Sequence, residues 1–310
     1  MQDVGLRGSG SPTAVPGEAA CPACGGRQVT AVGRRGVLSL VKCGGCTLVY
    51  SWPQPIAAVT EKYLEQYDLA EHFSGWEPRK KVLYDRRLQA LGAPPPGRTR
   101  LCDVGCGNGQ FLAVAAECGW TPAGIELNPP AAAHSRARGF DIYEGLLEQL
   151  DDLPWGTFDV VTSWDVLEHT PTPREFMRRV RRLVKSDGRV VVTTLNVASL
   201  AFRAFGLEWS MVCDDHFTYW NRRSLVGLVE SAGFRVVACT TFGLGRDFVA
   251  RLDRRPPPSA APEVAVPLRE AAPARRWDVN GWVVAAENVA NVALNLSGTG
   301  VGISVTMTPA

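Results

Sequence analysis

The residues best suited to chemistry lie in one glycine-rich stretch, residues 101–109 (LCDVGCGNG). A short apolar strand is predicted to end at Asp103, and a helix is predicted to begin near Gln110. Between them, Gly105, Gly107 and Gly109 let the backbone turn tightly and approach a ligand, which the amides at the helix N-terminus would also face. The stretch therefore predicts a nucleotide-type binding loop.

The offsets within this loop narrow the choice of nucleotide. A dinucleotide fingerprint requires glycine at the sixth position, where this sequence has Gln110. Glu126 follows the loop by about twenty residues and closes the next apolar strand, where a carboxylate can accept hydrogen bonds from both ribose hydroxyls. Read alone, Glu126 could also cap the helix that follows Asn128.

Apolar runs and helical periodicities alternate through residues 97–250 and predict an α/β fold with a parallel sheet covered on both faces. The predicted strands are 101–104, 123–127, 140–143, 158–163, 189–195 and 234–241, and the predicted helices are 110–118, 130–138, 174–185 and 222–232. Ligands in such folds bind at the carboxyl ends of the strands.

Four stretches at this spacing resemble class I S-adenosylmethionine-dependent methyltransferases, in particular the small-molecule branch that includes quinone O-methyltransferases. They are the glycine loop, FDVVTSWDVLEHTPTP at 158–173, KSDGRVVVTTLN at 185–196 and SLVGLVESAGF at 224–234. The resemblance implies a Rossmann-like sheet of seven mostly parallel strands. It also implies an antiparallel last strand beside the sixth, for which residues 301–307 are the candidate.

The resemblance implies S-adenosylmethionine as cofactor. Asp103 would face its positively charged methionine end, although the same carboxylate could brace the glycine turn. Leu146 would contact the adenine, and Tyr67 would close over the methionine end unless it only packs on the core. The full set of predicted cofactor-binding residues is Asp103, Gly105, Cys106, Gly107, Gly109, Glu126, Leu127, Leu146, Trp164 and Tyr67.

Two histidines are candidates for a catalytic base that a hydroxyl acceptor would require. They are His169, next to Glu168, and His216; a structural role for each is equally open. Asp165, Glu168 and His169 are spaced i, i+3 and i+4, so on a helical turn they could hold a divalent ion such as Mg²⁺. Glu-His pairs also occur at helix starts in a purely structural role, so both the metal-binding and the structural interpretation remain open.

Two Cys-x-x-Cys pairs predict a zinc ribbon near the N-terminus. Cys21 with Cys24 and Cys43 with Cys46 are separated by β-like sequence, and four thiolates at this spacing can bind one tetrahedral Zn²⁺. A closed Cys₄ site has no open coordination position, so we expect a structural ion. The alternative is four unrelated free thiols.

The composition limits the partners. The 310 residues are 45% apolar, and their net charge of +2 does not indicate a nucleic-acid partner. No run of about 18 apolar residues predicts a membrane span. A polar N-terminus and nine cysteines expected to be reduced indicate a cytoplasmic protein. The expected organisation is a disordered tail (1–20), the ribbon (21–56), a helical lead-in (57–96), the cofactor-binding core (97–250), a linker (251–276), and an amphipathic helix with a final strand (277–310).

Three functions remain open from the sequence. The first is a methyltransferase acting on a small-molecule acceptor, such as the hydroxyl of a sugar, phenol or natural product, with a homodimer through the C-terminal helix as one arrangement. The second is an RNA methyltransferase that uses the ribbon to hold nucleic acid, against which the near-neutral charge argues. The third is a non-catalytic binding protein with the same fold. Aromatic residues in 197–220 could line the acceptor cleft or form its core.

Overall fold

The computed structural model describes residues 20–66, 77–245, 247 and 290–310. Its strands are β1 (Val29–Arg35), β2 (Leu38–Cys43), β3 (Val49–Ser51), β4 (Arg100–Val104), β5 (Thr121–Glu126), β6 (Asp141–Glu144), β7 (Phe158–Trp164), β8 (Val184–Leu195), β9 (Thr218–Tyr219), β10 (Phe234–Phe242) and β11 (Gly302–Pro309). Its helices are α1 (Ile56–Gln66), α2 (Glu77–Leu91), α3 (Gln110–Glu117), α4 (Pro129–Ala137), α5 (Pro173–Leu183), α6 (Leu200–Phe205) and α7 (Arg222–Ser231), and residues 290–297 are also helical.

A seven-stranded sheet forms the body of the protein, in the order β10-β11-β8-β7-β4-β5-β6. β8, β7, β4, β5 and β6 run parallel, whereas β11 is antiparallel to both β10 and β8. The central strands are buried on both faces because helices cover both, as the nearly complete burial of β7 illustrates. The predicted fold class is confirmed, including the antiparallel last strand.

This topology brings several chain segments to one edge of the sheet. β4, β5 and β7 are neighbours, and each ends at the same edge because the three strands are parallel. Asp103, Glu126 and Trp164 therefore lie at the carboxyl ends of adjacent strands, although as many as 61 residues separate them along the chain. The glycine loop leaves the central strand of this group.

A second sheet contains the cysteine pairs. β1, β2 and β3 form an antiparallel meander, and β9 from the far side of the core adds a fourth strand through the register pairs Val49↔Tyr219 and Tyr50↔Thr218. The ribbon is thus hydrogen-bonded to the segment that carries His216. No sequence pattern predicted this two-residue strand.

The aromatic residues between β8 and α7 form core. Trp209, Tyr219 and Trp220 are at most 1% exposed, and Phe202 and Phe217 are also buried. The cluster around Trp209 includes Leu38, Leu40 and Val49 of the ribbon strands. Of the two interpretations left open for these rings, the structure favours core over a stacking surface for an acceptor.

Two predicted elements differ from the structure. The helix expected to reach residue 185 ends at Leu183, and β8 begins at Val184, because Val184 is buried and aligns with Phe158 in the parallel sheet. In the C-terminal helix, Asn291 and Asn295 accept hydrogen bonds from the backbone of the β10 end, while Val292 and Leu296 are exposed. The asparagine face docks on the body, whereas the amphipathic pattern predicts that the apolar face docks either on the body or on a dimer partner.

Some predictions lie outside the described residues. They concern nearly all of the disordered tail, Tyr67, the whole linker and the first part of the C-terminal helix. Across the ranges that are described, no helix is both long enough and apolar enough to cross a membrane.

Candidate functional site

The glycine loop is held against β5 by its own backbone. The amides of Gly105 and Cys106 both donate to the carbonyl oxygen of Ile125, at 2.8 and 3.1 Å. Gly105 has φ +77°, and a Cβ there would lie 2.4 Å from a Val166 methyl carbon, so both the conformation and the close approach require glycine. The loop is therefore fixed before any ligand arrives.

The carboxylate of Glu126 lies beside this loop and is buried, at 2% exposure. Oε2 accepts from the Gly107 amide at 2.8 Å, and Oε1 accepts from the Asn128 amide at 2.7 Å. Burial raises the pKa of Glu126, and the two amide hydrogen bonds oppose that shift. Glu126 therefore joins the glycine loop to the β5 end.

Asp103 is equally buried at the end of β4 and accepts a hydrogen bond from Thr162 at 2.7 Å. Burial raises its pKa to about 7, while the Thr162 hydroxyl and the positive charge of Arg87 act in the opposite direction. Burial thus disfavours ionisation of this carboxyl group. A cationic ligand beside it would stabilise the ionised form.

Arg87 on α2 is a site residue that the sequence analysis missed. Its guanidinium lies 2.9 Å from an Asp165 carboxylate oxygen and 4.4 Å from the centre of the Trp164 ring, and the side chain is 10% exposed. Its charge also reaches Asp103. The apolar periodicity of α2 predicts a helix, but no short-range pattern links residue 87 to partners that lie 78 residues further along the chain.

Two side chains next to the loop have buried polar atoms without hydrogen-bond partners. Among the residues that the structure describes, these include the amide oxygen and nitrogen of Gln110, directly after Gly109, and the indole nitrogen of Trp164 at the β7 end. Buried polar groups are rarely left unpaired, so these atoms fit a site that a polar ligand completes.

The remaining predicted contacts lie around the same edge. Leu127 and Leu146 are half-buried, and the Gly145 amide donates to the Glu126 carbonyl at 2.8 Å, which joins the loops after β5 and β6. Cys106 is buried, and burial raises the pKa of its thiol well above the usual value. Its sulfur occupies space that a side chain at Gly124 would need.

A tyrosine of the lead-in helix contacts the site, one helical turn before the predicted one. The hydroxyl of Tyr63 donates to Oε1 of Glu126 at 3.1 Å, and the Tyr63 carbonyl accepts from the Asn128 side chain. Tyr67, four residues further along the chain, is outside the described residues. The observed contact is to the carboxylate of Glu126.

His169 and His216 come together, with ring centres 4.7 Å apart. Nδ1 of His216 lies 2.7 Å from the Met211 carbonyl oxygen, and Nδ1 of His169 lies 2.9 Å from that of Asp215. A carbonyl oxygen only accepts, so each Nδ1 carries a proton, and in a neutral ring the lone pair is then on Nε2. His216 is 8% exposed, and burial lowers its pKa to about 4.

The predicted Mg²⁺ ligand set is not assembled. Asp165 has a left-handed backbone (φ +58°), and its carboxylate engages Arg87 and Thr193, so it does not join Glu168 and His169. His216 takes that place, and the ligand atoms of Glu168, His169 and His216 lie within 4.8 Å of one another. One carboxylate and two imidazoles do not fit Mg²⁺, which prefers oxygen ligands.

The four N-terminal cysteines do form one group. The sulfurs of Cys21 and Cys46 are 3.5 Å apart, as are those of Cys24 and Cys43, and all four lie within 4.8 Å. Tetrahedral Zn²⁺ with Zn–S bonds of about 2.3 Å separates its sulfurs by about 3.8 Å. The donor set and its spacing therefore fit Zn²⁺.

Comparison with known sequences places the core in a family. The model of the methyltransferase domain family matches residues 76–239. A ubiquinone biosynthesis O-methyltransferase of a Caulobacter species is 33% identical over 139 residues, covering 42% of this chain and 55% of the relative. Its counterpart in Caulobacter vibrioides is 36% identical over 128 residues, covering 39% and 50%. The chain thus spans about half the length of these curated relatives.

Solved structures share the fold. A SAM-dependent methyltransferase from Archaeoglobus fulgidus matches with a TM-score of 0.52 and 16% identity, over 78% of this chain and 99% of that one. A protein from Thermotoga maritima, described as a possible histamine N-methyltransferase, matches with a TM-score of 0.51 and 18% identity, over 82% and 99%. At these identities the likeness concerns architecture alone.

Proposed function

Because this chain belongs to the methyltransferase domain family, we propose that it is an S-adenosylmethionine-dependent methyltransferase that methylates a hydroxyl group of a small molecule such as a sugar, phenol or natural product. The observation that carries the proposal is the pair of buried carboxylates, Asp103 and Glu126, on either side of a rigid glycine loop. The names of the curated relatives, which refer to O-methylation, support oxygen as the accepting atom.

The cofactor would be held by residues at the edge where β4, β5 and β7 end. Glu126 would accept from the ribose hydroxyls, Leu127 and Leu146 would flank the adenine, and Asp103 would bind the methionine ammonium group. When bound, the sulfonium supplies an activated methyl group. The protein therefore has to bind, orient and exclude water, and it needs no nucleophile of its own.

The methionine carboxylate would pair with Arg87. The loop amides of Gly105 and Cys106 already donate to Ile125, and that of Gly107 donates to Glu126, so these three are not available to an anion. Arg87 is a mostly buried cation beside Asp103, and its carboxylate partner Asp165 is half-exposed to water. A ligand carboxylate would therefore add to, or replace, a contact that costs little to rearrange.

His216 would act as the general base on the acceptor. Its Nδ1 proton is committed to Met211, so Nε2 is the atom that can take the hydroxyl proton. A pKa of about 4 keeps this imidazole unprotonated at neutral pH. His169 lies against it, and next to His169 is Glu168, whose burial raises its pKa to about 7 and gives the acceptor side a second proton-accepting group.

The four ribbon cysteines would hold one structural Zn²⁺. The set is closed by four thiolates, which leaves no position for a substrate or water. The ion would thus stabilise the ribbon, including β3, to which β9 is paired.

Two measurements test this function. Isothermal titration with S-adenosylmethionine should show saturable binding to the purified protein, and absence of binding would overturn the proposal. Incubation with the methyl-¹³C cofactor and an extract of the source cells, followed by mass spectrometry, should reveal a small molecule heavier by one labelled methyl group.

The His216→Gln variant should bind the cofactor normally and produce that molecule at least about 100-fold more slowly. Label found only in RNA would favour the nucleic-acid alternative.

A further inference from the structure

An arginine of the ribbon reaches into the segment that precedes His216. Arg35 is the last residue of β1, and its Nη1 donates to the carbonyl oxygens of Trp209 at 3.1 Å and Val212 at 2.7 Å. Its side chain is 25% exposed, while Trp209 and Val212 are buried. The nearby Glu208 carboxylate is 4.0 Å away and largely exposed, so this ion pair contributes little.

The two carbonyls that Arg35 holds lie on either side of Met211. The Met211 carbonyl is the group that accepts the Nδ1 proton of His216, at 2.7 Å. The turn from Trp209 to Val212 is closed by a hydrogen bond between these two residues, at 2.8 Å. One guanidinium thus fixes both ends of the turn whose middle carbonyl selects the His216 tautomer.

The ribbon also holds the chain on the other side of His216. The Ser51 amide donates to the Phe217 carbonyl at 3.0 Å, directly before β9 pairs with β3. His216 is therefore bracketed by two ribbon contacts, one through a cation and one through strand pairing. Neither contact touches the glycine loop or the carboxylates next to it.

We propose that Arg35 is a positioning residue that fixes the ring orientation and tautomer of His216 through the Met211 carbonyl, so that the ribbon is part of the acceptor-side machinery. The importance of this arrangement for catalysis rests on the proposed role of His216 as base. The positioning itself can be measured on the imidazole and does not depend on that role.

Other groups also act on the His216 imidazole and must stay unchanged in a test. Glu168 and His169 face the ring from the 3₁₀ turn Leu167–His169, and Asp165 acts from the end of β7. Cys213 and Asp215 adjoin the ring in its own loop. Tyr219 of β9 has its ring centre 6.2 Å away. None of these is altered by a substitution at residue 35.

The test uses the full-length protein labelled with ¹⁵N in its histidine rings. The sequence has four histidines, so single His→Gln variants assign each signal. In the unaltered protein, His216 should show one Nδ1–H tautomer and a titration midpoint near 4. Arg35→Met should mix the two tautomers and raise the midpoint by about one pH unit or more, because the ring gains solvent once the turn is no longer held.

Arg34→Met is the matched control. Arg34 is the preceding residue on β1, and its side chain donates to Gly36 within the same hairpin, so its removal should leave the His216 signals unchanged. Arg35→Lys keeps the charge but replaces the planar guanidinium with an ammonium group on a shorter side chain, and it should give a partial effect even if Arg35→Met folds poorly.

An unchanged tautomer and midpoint in both folded Arg35 variants would overturn the proposal. Cofactor titration on the same samples separates the positioning role of Arg35 from the proposed methyltransferase function. If Arg35→Met binds S-adenosylmethionine like the unaltered protein while the His216 signals change, the positioning role stands. If neither the unaltered protein nor any variant binds the cofactor and the histidine signals still change in the Arg35 variants, only the proposed function fails.

Discussion

The Glu126 carboxylate and the Gly107 amide lie 2.8 Å apart, and this hydrogen bond joins the end of β5 to the glycine loop. A second amide, that of Asn128, fixes the other carboxylate oxygen. The side chain is therefore held in place before a ligand binds, which lowers the entropic cost of binding a diol.

Glu126→Gln should weaken binding of S-adenosylmethionine and S-adenosylhomocysteine by at least about tenfold. The glutamine NH₂ would face either the Gly107 or the Asn128 amide, both of which are donors, and the charge that favours ribose hydroxyls is lost. Isothermal titration measures the change. Glu144→Gln is the control, since Glu144 lies opposite Glu126 in the register of β6 but is exposed and pairs with Arg136.

Equal affinities for the unaltered protein and both variants would place the ribose elsewhere. Circular dichroism of each variant shows whether a loss of affinity reflects unfolding. Since Glu126 also anchors the loop, a fall in thermal stability of Glu126→Gln without cofactor is expected as well.

Asp103→Asn should stabilise the cofactor-free protein at pH 8 by an amount on the order of 1–4 kcal/mol. Burial raises the pKa of Asp103 to about 7, well above its value of 3.8 in an unfolded chain. Below about pH 4 the carboxyl is protonated in both the folded and the unfolded state and therefore does not lower the free energy of unfolding. As the pH rises towards 7 the folded state holds a proton that the unfolded state has lost, so stability decreases.

Urea unfolding from pH 4 to pH 8 measures this difference. The gap between the unaltered protein and Asp103→Asn should widen with pH, and the contribution of Glu168, whose pKa is also about 7, cancels in the comparison. The same variant should bind S-adenosylmethionine more weakly, because a neutral amide does not pair with an ammonium group. A gap independent of pH would mean that Asp103 is ionised as easily in the folded protein as in water.

The sequence predicted the strands and turns around the glycine loop well because their signals are local. Asp103, the glycines and Glu126 are placed by a strand-loop-helix-strand unit of about twenty-five residues, whose geometry the period of the apolar residues determines. The same holds for the cysteine pairs, whose spacing alone brings the sulfurs together.

The long-range contacts of Arg35 and Arg87 are ones that local patterns do not encode. Arg35 and Val212, or Arg87 and Asp165, are far apart in the chain, and both contacts arise only when the ribbon and α2 are placed on the sheet. Asp165 illustrates the failure: its i, i+3, i+4 spacing to Glu168 and His169 assumed a helical turn, whereas its backbone is left-handed and turns the carboxylate to Arg87.

Elemental analysis should find one zinc per chain, and Cys43→Ser should lose it. Metal binding by the four thiolates contributes directly to folding, so the unfolding midpoint should fall by about 5 °C or more. Cys118→Ser is the control because Cys118 is exposed and lies outside the cluster. A folded protein that carries no metal after purification in zinc-containing buffer would contradict the ribbon site.

Arg87→Met should weaken binding of S-adenosylhomocysteine by at least about tenfold while changing the affinity for 5′-methylthioadenosine less than about twofold. The second ligand shares the adenine, ribose and sulfur but lacks the amino acid end, so it reports on every contact except those of Asp103 and Arg87. Arg87 also stacks on Trp164 and pairs with Asp165, and a purely structural role would weaken both ligands alike. Titration of both ligands into the unaltered protein and Arg87→Met therefore separates recognition of the carboxylate from support of the β7 end. Arg87→Lys keeps the charge without the planar fork, so its affinity for S-adenosylhomocysteine should lie between those of the unaltered protein and Arg87→Met.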